Sequence, residues 1–230
     1  MITIISCNYH SKDFADILVR SIKKFSAKKY PVFIMDNSNE QELFNNDDYI
    51  VIKSKKNMGH GAGLDYLISN CVNTEFTLVM DIDAHILRRG YDLELLKIIE
   101  SDSKIGLISP FRTASKPIHP AMMFFRTNDI KNRISMKPFN IMNDNIPIQM
   151  DVGQFIPMSI NQIYLKKTIL LKEGNPFYKD LFGSTWTLNG EKTFYHFGYG
   201  TRLYGKKEFG GILKSEQDEM KKKLFEQLNF

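Results

Sequence analysis

The sequence has few cysteines and no long apolar run, and both features narrow the class of protein. Its two cysteines, Cys7 and Cys71, lie within apolar segments and outside any metal-binding spacing, so a structural disulfide is not expected. No apolar run approaches the roughly 20 residues needed to cross a bilayer. The first residues have no basic stretch and no cleavage site, which predicts a core strand rather than a signal peptide. We therefore expect a cytoplasmic protein without a transmembrane segment.

Two well-known nucleotide-binding motifs are also missing. The first predicted strand is followed by CNYHSKDF, which lacks the G-x-G-x-x-G that lets a pyrophosphate reach a helix N-terminus. Gly59, Gly61 and Gly63 follow a later strand, which is the wrong one for that fingerprint. No Walker A sequence is present either. These absences count against dinucleotide-dependent dehydrogenases and Walker-type nucleotide hydrolases, although Asp36 ends the second strand much as a ribose-binding acid does.

The composition is that of a globular protein with a mild positive charge. Of the 230 residues, 43% are hydrophobic and 25% are charged, and this length predicts a single domain. The 31 Lys and Arg residues against 26 Asp and Glu give a net charge of +5. Such an excess suits an anionic ligand such as a nucleotide, a nucleic acid or a membrane surface, without choosing among them.

The first half of the chain alternates strand and helix patterns. Strands are predicted at 2–7, 32–36, 50–53, 76–82 and 105–110, and helices at 13–25, after the glycine-rich turn through about Cys71, and at 91–100. This alternation predicts an α/β fold with a mostly parallel sheet flanked by helices. We divide the chain into this first half (1–110), a second half (111–214) and a charged helical tail (215–230).

The second half has a less regular pattern. We predict a strand at 121–126, a loop with an irregular helix at 127–150, and a helix or a strand at 160–171. The segment TFYHFGYGTRLYG predicts a strand that runs into a tight loop, and 215–228 predicts a helix.

Polar residues follow four of the predicted strands at the point where each strand ends. They are Asn8, Asp36, the turn from Asn57 to Gly63, and the segment from Asp81 to His85. Because open parallel sheets bind ligands beyond the carboxyl ends of their strands, these residues are expected to form one site.

The segment Asp81-Ile82-Asp83 carries the most chemical information. In an extended chain, the two carboxylates would share one face. Hard oxygen ligands of this kind suit Mg²⁺ or Mn²⁺, which can bridge the oxygens of a diphosphate. His196 lies in FYHFGYGT, where glycines at 198 and 200 allow a ligand to approach. It is a candidate ligand for the same ion, or alternatively a packed core residue.

Together these segments resemble the GT-A glycosyltransferases of the family 2 type, in the rhamnosyltransferase-like branch. The resemblance covers roughly the first 110 residues in pattern, with two short segments later, and LVMDIDAHI is its most specific part. It implies a nucleotide-diphospho-sugar transferase fold with Asp83 and His196 as metal ligands. In such a fold, residues 1–110 would be the nucleotide-sugar-binding half and residues 111–214 the acceptor-side and catalytic half. The residues that it implies for donor binding are Asn8, Asp36, Asn57, Gly59, Asp65, Asp81 and, as a phosphate clamp, Arg202.

The resemblance also implies the reaction. A hexosyl or pentosyl group would pass from a nucleoside-diphosphate sugar, by default a UDP-sugar, to a hydroxyl of a saccharide or lipid-linked glycan, with Mn²⁺ or Mg²⁺ as cofactor. The family places its catalytic base in an acidic Glu-Asp pair, and here the corresponding segment is Gln149-Met150-Asp151. Asp151 takes the place of the base, whereas its acidic neighbour is replaced by Met150.

Three alternatives remain open on the sequence. The acceptor could be a modified base of phage DNA, flipped out of the helix, as the positive charge allows. The missing acidic neighbour of Asp151 allows a nucleotide-sugar-binding protein without turnover. A sugar-nucleotide-forming nucleotidyltransferase has a related fold, but its usual basic glycine-rich N-terminal loop is not visible.

Overall fold

The computed structural model describes residues 1–113, 118–143, 146–178, 181, 183–198, 208–209 and 212–228. The strands are β1 (Ile2–Asn8), β2 (Val32–Asp36), β3 (Ile50–Lys53), β4 (Phe76–Met80), β5 (Ala84–Ile86), β6 (Ile105–Pro110), β7 (Met122–Arg126), β8 (Phe139–Asn143), β9 (Ile146–Met150), β10 (Lys167–Glu173), β11 (Ser184–Leu188), β12 (Glu191–His196), β13 (Glu208–Phe209) and β14 (Ile212–Leu213). The helices are α1 (Lys12–Phe25), α2 (His60–Asn70), α3 (Tyr91–Ser101), α4 (Thr127–Ile130), α5 (Ile156–Tyr164) and α6 (Lys214–Leu228).

One ten-stranded sheet organises the molecule, in the order β3-β2-β1-β4-β7-β6-β10-β11-β12-β5. The strands β3, β2, β1 and β4 pair in parallel. Among these ten strands, β7, β11 and β5 run against the others. The mostly parallel α/β sheet that the sequence predicts is confirmed. The strand β6 ends at Pro110, and strands from both predicted halves complete the same sheet.

Both faces of the sheet are covered, which explains why the central strands are apolar throughout. In β1, Ile2 and Ile4 pack on the face that carries α1, whereas Ile5 and Cys7 pack on the face that carries α2. All seven residues of β1 are buried. A strand with helices on both sides needs apolar residues at consecutive positions, and the continuous run ITIISC supplies them.

The turn before α2 needs glycine residues for two reasons, which are close packing and backbone conformation. Gly59 precedes the helix with φ of +81°, a conformation that favours glycine. A Cβ atom at Gly61 would lie 2.6 Å from the backbone oxygen of Met136, and one at Gly63 would lie 2.8 Å from Cys7 Sγ. The helix therefore starts against the end of β1, beside the carboxyl ends of the parallel strands.

The second half contains more regular structure than its sequence predicts. Where a loop with an irregular helix is predicted, the short helix α4 is followed by the antiparallel pair β8 and β9, so that prediction is wrong in part. The ambiguous segment 160–171 holds the end of α5 and most of β10, separated at Leu165, which has φ of +53°. The helix predicted at 215–228 is confirmed as α6.

Among the described residues, no helix is long and apolar enough to cross a membrane.

Candidate functional site

A cavity of about 580 Å³ lies at the carboxyl ends of β1, β2, β3 and β4, as the sequence predicts. Its lining combines the predicted polar strand ends with residues of the second half. The lining residues are Cys7, Asn8, Tyr9, Asn37, Asn57, Gly59, His60, Asp81, Ile82, Asp83, Arg112, His119, Pro120, Asp151, Gly183, Ser184, His196, Phe197 and Gly198.

Asp81, Asp83 and His196 form a compact three-residue group in this cavity. Each offers one ligand atom, and these atoms lie within 4.8 Å of one another. His196 Nε2 is 3.1 Å from Asp83 Oδ1 and 3.4 Å from Asp81 Oδ2. Two carboxylates and an imidazole are ligand types that Mn²⁺ accepts, and Mg²⁺ favours the two carboxylates.

The two aspartates converge because the chain turns, which corrects the expectation of an extended segment. The strand β4 ends at Met80 and β5 begins at Ala84. The amide of Ala84 donates to the backbone oxygen of Asp81 at 3.0 Å, which closes a β-turn. Asp81 and Asp83 thus meet through a turn between two strands that lie far apart in the sheet.

Strand pairing brings His196 to the same place. The strand β12 pairs with β5, with His196 opposite Ala84. The amide of Phe197 donates to the backbone oxygen of Asp83 at 3.0 Å, and the amide of Gly198 donates to Asp83 Oδ2 at 3.1 Å. Gly198 has φ of +92°, so a glycine suits the position at which the chain leaves β12 and bonds to the aspartate.

The electrostatic environment and the hydrogen bonding of Asp81 favour a cation bound beside its carboxylate. Burial raises the pKa of the Asp81 carboxyl, and Asp83 and Asp151 raise it further, whereas His60 and His196 oppose the increase. Its Oδ1 atom is buried without a hydrogen-bond partner among the described residues. That oxygen lies beside His60 Nε2, and the other oxygen, Oδ2, lies beside His196. Buried like charge on Asp81 and Asp83 is costly, and a divalent cation at the group would offset that cost.

His119 and Trp186 pack against His196. The His119 ring centroid lies 5.0 Å from that of His196 and 4.9 Å from that of Trp186. His119 Nδ1 accepts a hydrogen bond from the amide of Ala121 at 3.2 Å, so we assign its proton to Nε2. Burial, together with His196 and Arg112, lowers the pKa of His119 to about 3. This ring is therefore a neutral hydrogen-bond donor on the cavity wall.

Of the predicted donor-binding residues, Asn8, Asn57, Gly59 and Asp81 line the cavity. Asn8 is fully buried and donates to Asp36 Oδ1 at 3.1 Å and to Ser38 Oγ at 3.2 Å. Asn57 is exposed, and its Oδ1 accepts from the amide of Gly59 at 2.8 Å. Arg202 lies outside the described residues.

Asp36 and Asp65 do not line this cavity. Asp36 is fully buried and accepts hydrogen bonds from the side chain of Asn8 and the amides of Ser38, Glu42 and Leu43. Asp65 lies on α2, where its carboxylate accepts from Ser135 Oγ and from the amide of Met136, both at 2.7 Å. Donor contacts by these two carboxylates stay predictions.

Asp151, the predicted base, lines the cavity in an ion pair with Arg112. The distance from Arg112 Nη1 to Asp151 Oδ2 is 2.8 Å, and both side chains are about 30% exposed. The other carboxylate oxygen accepts from the amide of Val152 at 2.8 Å.

Among the histidine, basic and acidic side chains of the cavity, His60, Arg112 and His119 have no role predicted from the sequence. His60 belongs to the glycine-rich turn that was predicted for the site, and that position was the available signal. Arg112 and His119 lie beyond the last predicted strand of the first half, in sequence without regular periodicity. Their place in the site depends on how the second half returns to the sheet.

The chain has a GT-A-like fold, which confirms the predicted fold, and solved structures with a similar fold are glycosyltransferases. Solved structures similar to it include the mannosyltransferase PcManGT from Pyrobaculum calidifontis, in complex with GDP-Man and Mn²⁺, with a TM-score of 0.55 and 13% identity. Residues 1–349 of S. aureus TarS are similar with a TM-score of 0.56 and 16% identity. By sequence, the chain matches no protein-family model and no curated protein.

The two alignments cover most of this chain and a smaller share of the other proteins. PcManGT aligns over 77% of this chain and 58% of its own, and TarS over 85% and 60%. The chain thus spans about three fifths of the structures that it resembles. At these identities the likeness concerns the fold, and the rhamnosyltransferase-like branch stays a prediction.

Proposed function

We propose that this chain is a metal-dependent glycosyltransferase that moves a sugar from a nucleoside-diphosphate sugar to a hydroxyl acceptor. The observation that carries the proposal is the Asp81–Asp83–His196 group at the carboxyl edge of a GT-A-like sheet. It lies in the cavity that the fold provides for a ligand, and its side chains fit Mn²⁺ or Mg²⁺.

These three residues would hold the ion, with Asp83 and His196 as the predicted ligands and Asp81 beside them. A bound divalent cation supplies positive charge for the oxygens of the departing diphosphate. Asp83 is already oriented by the amide of Gly198, and the ring of His196 is held by its aromatic neighbours. Such fixed geometry favours transition-state stabilisation, because little reorganisation is needed during the reaction.

Asp151 is the residue that we assign as the base. Its carboxylate opens on the cavity and can take the proton of an acceptor hydroxyl within hydrogen-bond reach. The ion pair with Arg112 orients this carboxylate. Arg112 also lines the cavity, so its guanidinium is placed to bind an anionic group of a substrate.

The identities of the donor and the acceptor are proposed from the family resemblance and from one similar structure. The family resemblance favours a UDP-sugar, whereas the similar PcManGT was solved with GDP-Man, so both belong in the first donor panel. Either a hexosyl or a pentosyl group fits the proposal. We propose a saccharide or lipid-linked glycan as acceptor, and a cytoplasmic location stays a prediction.

The test measures release of nucleoside diphosphate from a panel of UDP- and GDP-sugars with Mn²⁺, with and without glycan acceptors. We expect Asp83→Asn to lose at least a hundredfold in turnover while its melting temperature without metal stays close to that of the wild type. Asp48→Asn is the matched control, because Asp48 pairs with Lys23 on the surface, away from the cavity. Turnover that a chelator leaves unchanged would overturn the proposal.

The same panel separates the alternatives. Donor binding without diphosphate release, across all acceptors, would favour a binding protein without turnover. Transfer to DNA with hydroxyl-bearing modified bases, lost steeply with salt, would favour a nucleic-acid acceptor.

A further inference from the structure

We propose that His60 is a positioning residue for the metal centre: its Nε2–H holds the Asp81 carboxylate so that the other oxygen of Asp81 faces the ion. This inference rests on the proposed function, because it takes the Asp81–Asp83–His196 group as a metal site. It concerns a residue that is not among the predicted ligands.

The two oxygens of Asp81 face two different histidines. Oδ2 lies 3.4 Å from His196 Nε2, on the side of the three-residue group, and Oδ1 lies 3.4 Å from His60 Nε2. Among the described residues, only Asp81, Asp83 and His196 have ligand atoms that all lie within 4.8 Å of one another. His60 therefore acts on the carboxylate and stands outside the group that would hold the ion.

The two atoms of this contact lie 3.4 Å apart. His60 Nε2 and Asp81 Oδ1 are both buried, and neither has a hydrogen-bond partner among the described residues. A small approach that also aligns the N–H with the carboxylate oxygen would form a hydrogen bond. A cation that fixes Oδ2 would favour that approach, since a ligating carboxylate is usually held by a second hydrogen bond.

The backbone of His60 is held firmly enough for this role. Cys7 Sγ donates to the backbone oxygen of His60 at 3.6 Å, and Asn37 Nδ2 donates to the preceding backbone oxygen, of Gly59, at 3.4 Å. Close contacts leave no room for a Cβ at Gly61 or Gly63. The glycine-rich turn thus fixes the first residue of α2 against the turn that carries Asp81.

The test uses Mn²⁺ alone with the full chain, and the affinity is measured from the electron paramagnetic resonance signal of free Mn²⁺. We expect His60→Met, which has no donor, to weaken Mn²⁺ binding by about 10- to 100-fold. His60→Gln, whose amide can donate to Asp81, should recover most of the affinity. Tyr66→Ala, an exposed position on the same helix, is the matched control and should bind Mn²⁺ as the wild type does.

Two comparisons keep the outcomes distinct. Melting without metal shows that each variant is folded, and an equal loss of affinity in the Met and Gln variants would overturn the hydrogen-bond role. If Asp83→Ala loses Mn²⁺ binding and His60→Met does not, the inference on His60 is wrong and the proposed function stands. If Asp83→Ala binds Mn²⁺ normally, the metal centre itself is wrong.

Discussion

At the scale of single residues, Asp36 ends a strand beside the site and supports a cavity residue, although it does not line the cavity itself. Its carboxylate accepts hydrogen bonds from Asn8 Nδ2 and from the amides of Ser38, Glu42 and Leu43. Burial raises the pKa of Asp36, but the hydrogen bonds outweigh burial and hold the pKa below its usual range. The carboxylate thus organises the end of β2 and orients Asn8, which does line the cavity.

We expect Asp36→Asn to destabilise the fold by about 2 kcal/mol at pH 7, because hydrogen bonds to a buried charged group are lost and an amide donor faces other donors. A group with a lowered folded-state pKa stabilises the fold above its unfolded pKa of about 3.9. That stability is lost as the pH falls through the folded-state value. The difference between wild type and variant should therefore narrow below about pH 4.

Urea unfolding at a series of pH values measures this difference. Asp48→Asn is the surface control and should show little change at any pH. A difference that stays constant down to pH 3 would show that the ionised state of Asp36 has no part in stabilising the strand end.

At the scale of elements, the turn into α2 shows how backbone conformation and packing restrict the sequence to glycine. Its glycines meet different requirements: Gly59 has a positive φ with open space around it, whereas a Cβ at Gly61 would collide with the backbone of Met136 and Lys137. Alanine normally stabilises a helix relative to glycine by about 1 kcal/mol. The collision at Gly61 should reverse that preference, since backbone atoms cannot move aside as a flexible side chain can.

We expect Gly61→Ala to lower the free energy of unfolding by about 1–3 kcal/mol, as overpacking usually does. Gly59→Ala should cost about 1–3 kcal/mol, because its backbone, with φ of +81° and ψ of 158°, lies in a region that is essentially open only to glycine. Gly190→Ala, with φ of +84° and nothing within 4 Å, is the control for a positive φ away from the site. Urea midpoints rank the three variants, and a Gly61→Ala protein as stable as the wild type would contradict the close packing of α2 on residues 136–137.

At the scale of the whole molecule, the metal group joins two parts of the sheet. Asp81 and Asp83 follow β4 near the middle of the sheet, whereas His196 ends β12 beside the edge strand β5. A ligand that binds only the folded state stabilises it by mass action, by about 2.7 kcal/mol at a hundred times its dissociation constant. Mn²⁺ should therefore raise the melting temperature of the entire fold.

We expect His196→Ala to abolish most of that increase in melting temperature. The same variant should also cost about 1–3 kcal/mol without metal, because the ring is packed against His119 and Trp186. His85→Ala is the matched control: His85 is buried on the neighbouring strand and hydrogen-bonds Tyr178, so this variant should lose stability and keep the Mn²⁺ effect. A full Mn²⁺ effect in His196→Ala would mean that His196 is structural only.

The strands of the first half, the helices between them and the edge at which a site would form can be predicted from the sequence. These follow from local patterns, because a run such as ITIISC is suited to a strand covered on both faces. The sequence also predicts that Asp81 and Asp83 lie at that edge, although the extended geometry expected for them is wrong. The division into two halves and a tail stays a prediction.

Which residues meet at that edge depends on long-range strand pairing and cannot be predicted from local patterns. Asp83 and His196 come together because β5 crosses to pair with β12. His60 reaches Asp81, and Arg112 reaches Asp151, through contacts between segments far apart in the chain. The same applies to Asp36, because the hydrogen-bond donors around its carboxylate come from segments beyond its own strand. Local periodicity indicates which side of a strand is buried, whereas the pairing of strands far apart in the chain depends on the packing of the complete sheet.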